Sequence, residues 1–416
     1  MKHINQTLLL LMATTQLLTC ASLPEVTDKT AADILGNPGY QAISFGGYRE
    51  NSRAIQPTIP QLKEDLLILS AMGIKLLRTY NVYYDEAANL LAAIRQLKQE
   101  NKNFEMYLML GAWIDCKNAW TDLPPDHHAE SEKNAAEIDR AVDLANQYPD
   151  IVKIIAVGNE AMVKWAERYY VQPGVILKWV NHLQNLKKQG ELPATLWITS
   201  SDNFASWGGG DSSYHVADLN HLIEAVDYIS MHTYPMHDTH YNPAFWGTRK
   251  DEAGMTDLEK TEAAMLRARD YAKMQYEQVV RYMKSLGVNK PVHIGETGWA
   301  TSCNELYGNS GSRAVDEYKS AVYYHHIRTW TDAARITCFY FEAFDEPWKD
   351  AANPGGSENH FGLFTVQGQA KYALWYLVDA GRFDGLTRGG KPITKTLNGD
   401  KAALMKTVKP PVSDER

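Results

Sequence analysis

Cysteine is scarce in this chain, with four residues at positions 20, 116, 303 and 338. That is too few for a disulfide-stapled scaffold or a thiolate metal cluster. Beyond the N-terminal segment, Cys116, Cys303 and Cys338 allow at most one bridge. Cys338 lies within an apolar run and reads as a small buried hydrophobe. Runs of a single charge sign are also missing. Lysine and arginine total 42 against 50 acidic residues, a net charge of −8, with no basic block. This excludes nucleic acid and an anionic membrane as main partners and fits a neutral one. No apolar run reaches the roughly 20 residues of a permanent bilayer span. The run over 8–18 follows Lys2 and His3 and leads into Thr19-Cys20-Ala21-Ser22. That pattern predicts an export signal over 1–21, cleaved near Ala21. Leu17-Leu18-Thr19-Cys20 also resembles a bacterial lipobox, with Thr19 where Gly, Ala or Ser is usual. On that second reading Cys20 carries a lipid anchor. Both readings place the protein outside the cytoplasm: in the periplasm, extracellular, or as an outer-membrane lipoprotein.

The chain does carry an alternation of short apolar runs and longer helical stretches. The runs at 42–48, 75–81, 105–114, 151–160, 195–202, 226–234, 292–299 and 336–344 predict strands. They are rich in Val, Ile, Leu and aromatics with little polar alternation, as expected of parallel strands covered on both faces. Helical patterns fall at 60–72, 85–99, 130–147, 175–190, 258–286 and 312–333, with a last one at 369–379. Pro60 suits a first helical turn, and Gly73, Gly190 and Gly287 follow helical runs, where a left-handed residue can end a helix. Eight strands alternating with helical stretches predict an α/β fold, a single (β/α)₈ TIM barrel with extended loops on its active face. A doubly wound open sheet would alternate similarly. However, Phe45-Gly46-Gly47-Tyr48-Arg49-Glu50 after the first strand lacks the G-x-G-x-x-G spacing of a phosphate loop. No cofactor is expected. There is no low-complexity linker and no constant-period repeat. The expected organisation is one catalytic domain over 38–385 and a polar tail over 386–416.

The active site of such a barrel forms at the carboxyl ends of its strands. Strand four ends Gly158-Asn159-Glu160, and strand seven ends Gly295-Glu296-Thr297-Gly298-Trp299. Each run puts a carboxylate at the active end, and only the fold can bring the two together. Acetal cleavage needs a proton for the leaving oxygen and stabilisation of an oxocarbenium-like centre. Two carboxyl groups about 5–5.5 Å apart provide both. One must hold its proton and the other must stay ionised.

Val157-Gly158-Asn159-Glu160 and Gly295-Glu296-Thr297-Gly298-Trp299 resemble the signature strands of the 4/7 superfamily of retaining glycosidases. More narrowly, the chain resembles glycoside hydrolase family 17, the β-1,3-glucanases and related glucanosyltransferases. Leu77-Arg78-Thr79-Tyr80 is similar to that family's second-strand R-x-Y. Phe344-Asp345-Glu346-Pro347-Trp348-Lys349 is similar to its F-(D/N)-E-x-x-K, and Glu358-Asn359-His360-Phe361-Gly362-Leu363-Phe364 to the following E-x-x-F-G-L-F. The matches run in family order from about residue 42 to 364. The resemblance implies Glu160 as acid/base and Glu296 as nucleophile, acting on a β-glucan. It implies that Glu346, Lys349 and Glu358 hold sugar hydroxyls and tune the pair, that Tyr80 lies near the nucleophile, and that Asn159 bonds the sugar 2-hydroxyl. Tyr234 ends strand six and can donate to Glu296. Arg78 shares a strand face with Tyr80 and can keep the nucleophile ionised.

Long segments at 113–128, 203–218 and 235–257 belong on the active face and can wall off an open groove, which keeps exo-action and transglycosylation in view. Tryptophans crowd those regions: Trp113, Trp120, Trp207, Trp246, Trp299 and Trp348. An indole plane can stack on a pyranose face, and Trp299 and Trp348 adjoin catalytic motifs. His232, His237 and His240 lack the spacing of a zinc helix such as H-E-x-x-H, and no cysteine adjoins them. No metal is expected, and the histidines read as hydroxyl-binding or structural. Three alternatives to a β-1,3-glucan hydrolase remain. One is a glucanosyltransferase using the same intermediate, and one a glycan-binding protein on an inactive scaffold. The third is a Schiff-base lyase, which needs a lysine at a strand's carboxyl end, whereas Lys75 and Lys153 lie at amino ends.

Overall fold

The computed structural model describes residues 29–412, so the predicted export signal and Cys20 lie outside the described residues. Eight parallel strands close into a barrel: β1 (Gln41–Ser44), β2 (Ile74–Arg78), β3 (Tyr107–Ala112), β4 (Val152–Asn159), β5 (Trp197–Asn203), β6 (Ile229–His232), β7 (Val292–Gly298) and β8 (Cys338–Phe341). Each pairs with its neighbours in chain order, and β1 closes on β8 through Ala42↔Phe339 and Ile43↔Tyr340. This is the expected TIM barrel. Several strands are shorter than their apolar runs, because an apolar run reports burial rather than pairing. Phe45 and Tyr48, past the end of β1, are buried in loops.

Successive side chains divide between two cores. Ala42, Leu76, Met109, Ile154, Ala156 and Phe339 fill the barrel interior. Ile43, Leu77, Leu108, Leu110, Ile155 and Val157 face the surrounding helices, which is the period-two alternation of a strand. The short helix α1 (Ala31–Ile34), started by a Thr30/Asp33 capping box, adds Ala31 and Ile34 to the interior core.

The outer layer is α2 (Ile59–Ala71), α3 (Glu86–Glu100), α4 (Lys133–Gln147), α5 (Pro173–Gln189), α6 (Ala217–Ala225), α7 (Pro235–Tyr241), α8 (Asp257–Ser285) and α9 (Glu317–Ala334). Thr58 and Gln61 form a capping box ahead of α2, with Pro60 in its first turn. Helix α5 stops at Gly190 with φ 78°. Three predicted boundaries move. Residues 130–132 precede α4, because Asp126–Glu130 pairs with Cys116–Lys117 as a small hairpin. Helix α9 starts after Asp316, whose side chain caps the Lys319 N–H, and not at 312. The stretch 369–379 is a 3₁₀ turn and then a short helix, Trp375–Asp379.

The packed unit extends beyond 38–385 in both directions. In the tail, Arg388 is buried and grips Asp65 of α2 through Nε–Oδ1 at 2.8 Å and Nη2–Oδ2 at 3.1 Å. That is a bidentate clamp, among the stronger hydrogen-bonded pairs. Cys116, Cys303 and Cys338 are free thiols.

Candidate active site

The carboxyl end of the barrel departs from regular pairing where the chemistry sits. On β7, Ile294 faces the helices, and simple alternation would send Glu296 the same way. The register shifts between them instead: Met231 pairs with Ile294, and His232 pairs with Glu296. A bulge of this kind re-aims a side chain. Gly295 absorbs it, since a Cβ there would collide with the Ser201 and Ser230 hydroxyls. On β4 the register shifts between Ala156 and Asn159. Gly158 takes φ +81° and Glu160 φ 45°, a left-handed backbone that is uncommon for non-glycine residues and recurs at active sites.

Donors converge on Glu296. Its Oε2 accepts from the Arg78 guanidinium and, at 3.2 Å, from the Tyr80 hydroxyl. Its Oε1 accepts from the Tyr234 hydroxyl. Burial works against ionisation here, but His232, Arg78 and the Tyr234 hydrogen bond outweigh it and hold the carboxyl down at about 2. His232 is itself charged only below about 4, so at neutral pH Arg78 and the hydroxyl donors carry the effect. Burial and then the Glu296 charge push both phenols well above their ordinary range, which keeps them as donors.

Glu160 has a different setting. Its Oε1 lies 3.1 Å from Nδ1 of the fully buried His232, whose Nε2 lies 2.8 Å from the Ser201 hydroxyl. Burial holds His232 neutral, at about 4. A hydroxyl can donate or accept, so Ser201 satisfies either imidazole tautomer as Glu160 gains or loses its proton. Burial, then the neighbouring Glu296 charge, raises Glu160 to about 8, against an opposing pull from His237 and Arg78. Behind it, Asp202 at the end of β5 accepts the Met162 N–H at 2.7 Å and so fixes the loop after Glu160. A buried acid poised above neutrality beside an ionised carboxylate is the arrangement that protonates a leaving oxygen while a second group attacks carbon.

Both carboxylates line a cavity of about 710 Å³, together with Tyr234, Glu358, Trp165 and Tyr241. Trp165 and Tyr241 are 62% and 64% exposed. Asn159 sits beside the pair, its Oδ1 accepting from Arg78. Lys349 salt-bridges Glu342 at 2.7 Å and Glu346 at 3.5 Å, with its ammonium 3.9 Å from the Phe341 ring centroid. Burial alone would lower its pKa, but Glu342 and Glu346 raise it. A lysine does therefore stand near a strand's carboxyl end, but as a held cation and not as the free amine a Schiff base needs. Glu346 accepts from the Tyr48 N–H at 3.3 Å and the Trp348 indole N–H at 3.1 Å.

Two expected platforms do not face the cavity. Trp299 is fully buried, donates to the Ala314 carbonyl at 2.8 Å and packs on Tyr323. It stands three residues past Glu296, so alternation turns it outward with Thr297, which also bonds Tyr323. Trp348 packs on Tyr48, with Arg53 4.4 Å above its ring. Trp207 and Trp246 are buried as well. Conversely, sequence reasoning passed over Trp165, Asp202 and Glu342. Asp202 ends a predicted strand, so the strand-end rule that found Glu160 applied equally to it. Among the described residues no cluster of His, Cys, Asp and Glu has the geometry of a metal site.

Barrel, paired carboxylates and opposed proton affinities define a glycosidase. The family model described as the BtgE/BtgC glycoside hydrolase domain matches residues 42–362, and the chain belongs to that family. It is similar to the crystal structure of an endo-laminarinase from Formosa Hel1_33_131, with 66% identity, a TM-score of 0.93, and coverage of 93% of this chain and 99% of that one. A glucan 1,3-beta-glucosidase of Arthroderma benhamiae is 25% identical over 85% of this chain and 95% of its own. The family 17 β-1,3-glucanosyltransferase of Rhizomucor miehei shares the fold at 19% identity and a TM-score of 0.56, over 80% of this chain and 96% of that one.

Proposed function

We propose that the protein is a retaining glycosidase of glycoside hydrolase family 17 that cleaves laminarin-type β-1,3-glucan within the chain, with Glu296 as nucleophile and Glu160 as acid/base. The observation that carries this reading is geometric: both carboxylates line one cavity, with Arg78, Tyr80 and Tyr234 donating to Glu296 and His232 beside Glu160. The similarity to an endo-laminarinase supports the substrate and the endo mode.

In the first step a Glu296 oxygen bonds to the anomeric carbon as the glycosidic C–O bond breaks, and the Glu160 proton passes to the leaving oxygen. In the second step water attacks the same carbon, gives its proton to Glu160 and releases Glu296. Two inversions leave the β configuration. Arg78 and Tyr234 hold Glu296 aligned and ionised until it attacks. With its Oδ1 occupied by Arg78, Asn159 has its amide N–H₂ left to donate to the sugar 2-hydroxyl. Lys349 and Glu358 serve the neighbouring hydroxyls.

The exposed Trp165 and Tyr241 in the cavity shared by both glutamates also favour a second reading, in which an acceptor sugar takes the place of water. Mass spectrometry of products from defined β-1,3-gluco-oligosaccharides separates the two. Shorter products alone, of mixed internal sizes, are the hydrolase result, and products longer than the substrate are the transferase result. Proton NMR during early turnover should show β product first, and α product appearing first would overturn the double displacement.

A further inference from the structure

The β3–β4 side of the cleft carries a structure that the chemistry above leaves unused. Between the hairpin strands that follow β3, Asn118 and Trp120 take φ 64° and 60°. The left-handed region is strained for a residue as bulky as tryptophan, and strain of this kind persists where the surroundings impose it. Burial does not explain it, because Trp120 is 55% exposed.

The ring is nevertheless fixed. The Trp120 indole N–H donates to Asp115 Oδ1 at 3.1 Å, and the Trp113 indole donates to the same oxygen at 2.6 Å. Asn134 grips Asp115 in turn: its Oδ1 accepts the Asp115 N–H at 3.0 Å, and its Nδ2 donates to the Asp115 carbonyl at 2.9 Å. One face of Trp120 lies on Tyr169, with centroids 5.2 Å apart and planes at 19°, and Trp113 leans on the same ring at 5.3 Å.

This pedestal is continuous with the catalytic end. Trp113 directly follows β3, whose Ala112 pairs with Val157 just ahead of Glu160. Tyr169 lies on the loop after Glu160, where Val171 N–H bonds back to the Ala161 carbonyl at 2.7 Å. Glu160 and Glu296 both bear on the Tyr169 phenol, which burial first pushes up.

We propose that Trp120, held by Asp115, Trp113 and Tyr169, is a distal sugar-binding platform on which a ring of a long β-glucan stacks beyond the catalytic subsites. A pyranose presents a face of C–H bonds that matches an indole plane. With the indole N–H already bonded, the platform reads ring shape and not a particular hydroxyl. A backbone strained to hold a large aromatic in water in a fixed orientation has this function to account for it. The inference rests on the glucan reading above.

The test uses the Trp120→Gly and Trp120→Phe variants of the whole protein. Glycine adopts positive φ freely, so Trp120→Gly relieves the strain and should fold with an unchanged or raised Tm. With laminarin its KM should rise about tenfold, roughly the loss of one stacked ring, while kcat stays within about twofold. With laminaritriose both constants should match the parent enzyme, and Trp120→Phe should recover most of the laminarin KM. A lowered Tm with an equal loss on both substrates would mean loop packing and would overturn the platform. Unchanged laminarin KM in an enzyme that does cleave laminarin would overturn the platform alone. A parent enzyme that neither cleaves nor binds laminarin would overturn the glucan reading, and the platform with it.

Discussion

Around Glu296 a guanidinium and two phenols point their protons at one carboxylate, whereas Glu160 meets a single neutral imidazole and a cavity wall. Both side chains are glutamates at strand ends of one barrel, so the backbone setting does not explain why one is held near 2 and the other near 8. The difference lies in the donors. Charged hydrogen bonds to an ionised carboxylate favour that form, and burial without them favours the protonated one. The two effects reinforce each other, because the charge fixed on Glu296 is itself a reason for Glu160 to keep its proton. A protonated and an ionised carboxyl group are thus made from one residue type, which is what the proposed acid and nucleophile require.

The strongest way to break this comparison is to remove each carboxylate in turn and offer azide. Glu296→Ala should lose roughly 10⁴- to 10⁶-fold in kcat/KM. Azide should then give an α-glycosyl azide by a single inversion. Glu160→Ala should lose roughly 10²- to 10⁴-fold on glucan, with much smaller losses on an aryl glucoside whose leaving group needs no proton. Azide should there give the β-glycosyl azide. Swapped anomers, read by NMR, would reverse the assignments.

A smaller effect sharpens the electrostatic link. In the parent enzyme activity should fall as pH rises through about 8, where Glu160 loses its proton, and on the acid side as Glu296 is protonated towards about 2. Glu296→Gln removes the charge that raises Glu160. The Glu160 carboxyl should therefore titrate at lower pH, measurable by carbon NMR of labelled glutamate. An unmoved titration would show that burial alone sets the acid. The smallest expected effect comes from Tyr234→Phe, which deletes one donor to Glu296. It should cost roughly ten- to a hundredfold in kcat, in line with one lost hydrogen bond to a charged group of about 1.5–3 kcal/mol. The acid limb should move upward while the alkaline limb stays in place. A change in kcat without that shift would make Tyr234 a steric support only.

Much of this arrangement is written locally. Parallel strands buried on both faces are near-continuous apolar runs, so all eight were readable, as were the carboxylates at the ends of β4 and β7. The Arg78–Tyr80 pair followed from alternation along β2 and its extension. The hairpin at Cys116–Lys117 and Asp126–Glu130 was not readable, because Asp126–Glu130 is polar and largely outside the core. Helix α6 was passed over because only Leu219, Leu222 and Ile223 mark its buried face within nine residues. Trp299 was misplaced for a geometric reason. It stands three residues past Glu296, so alternation sends it to the opposite face with Thr297, and both meet Tyr323 there.

The order of apolar runs and breakers by itself determined the barrel, because burial periodicity and helix stop signals act over a few residues. It also determined which two glutamates reach the catalytic end. The tertiary structure decided which of them keeps its proton, since Arg78, Tyr80, His232 and Tyr234 come from β2, β6 and the loops that follow them and act through space. It decided as well which aromatics face the cleft, Trp165 and Tyr241 in place of Trp299. Trp165 and Tyr241 lie off the barrel strands, where loops turn a side chain and no local pattern encodes that turn.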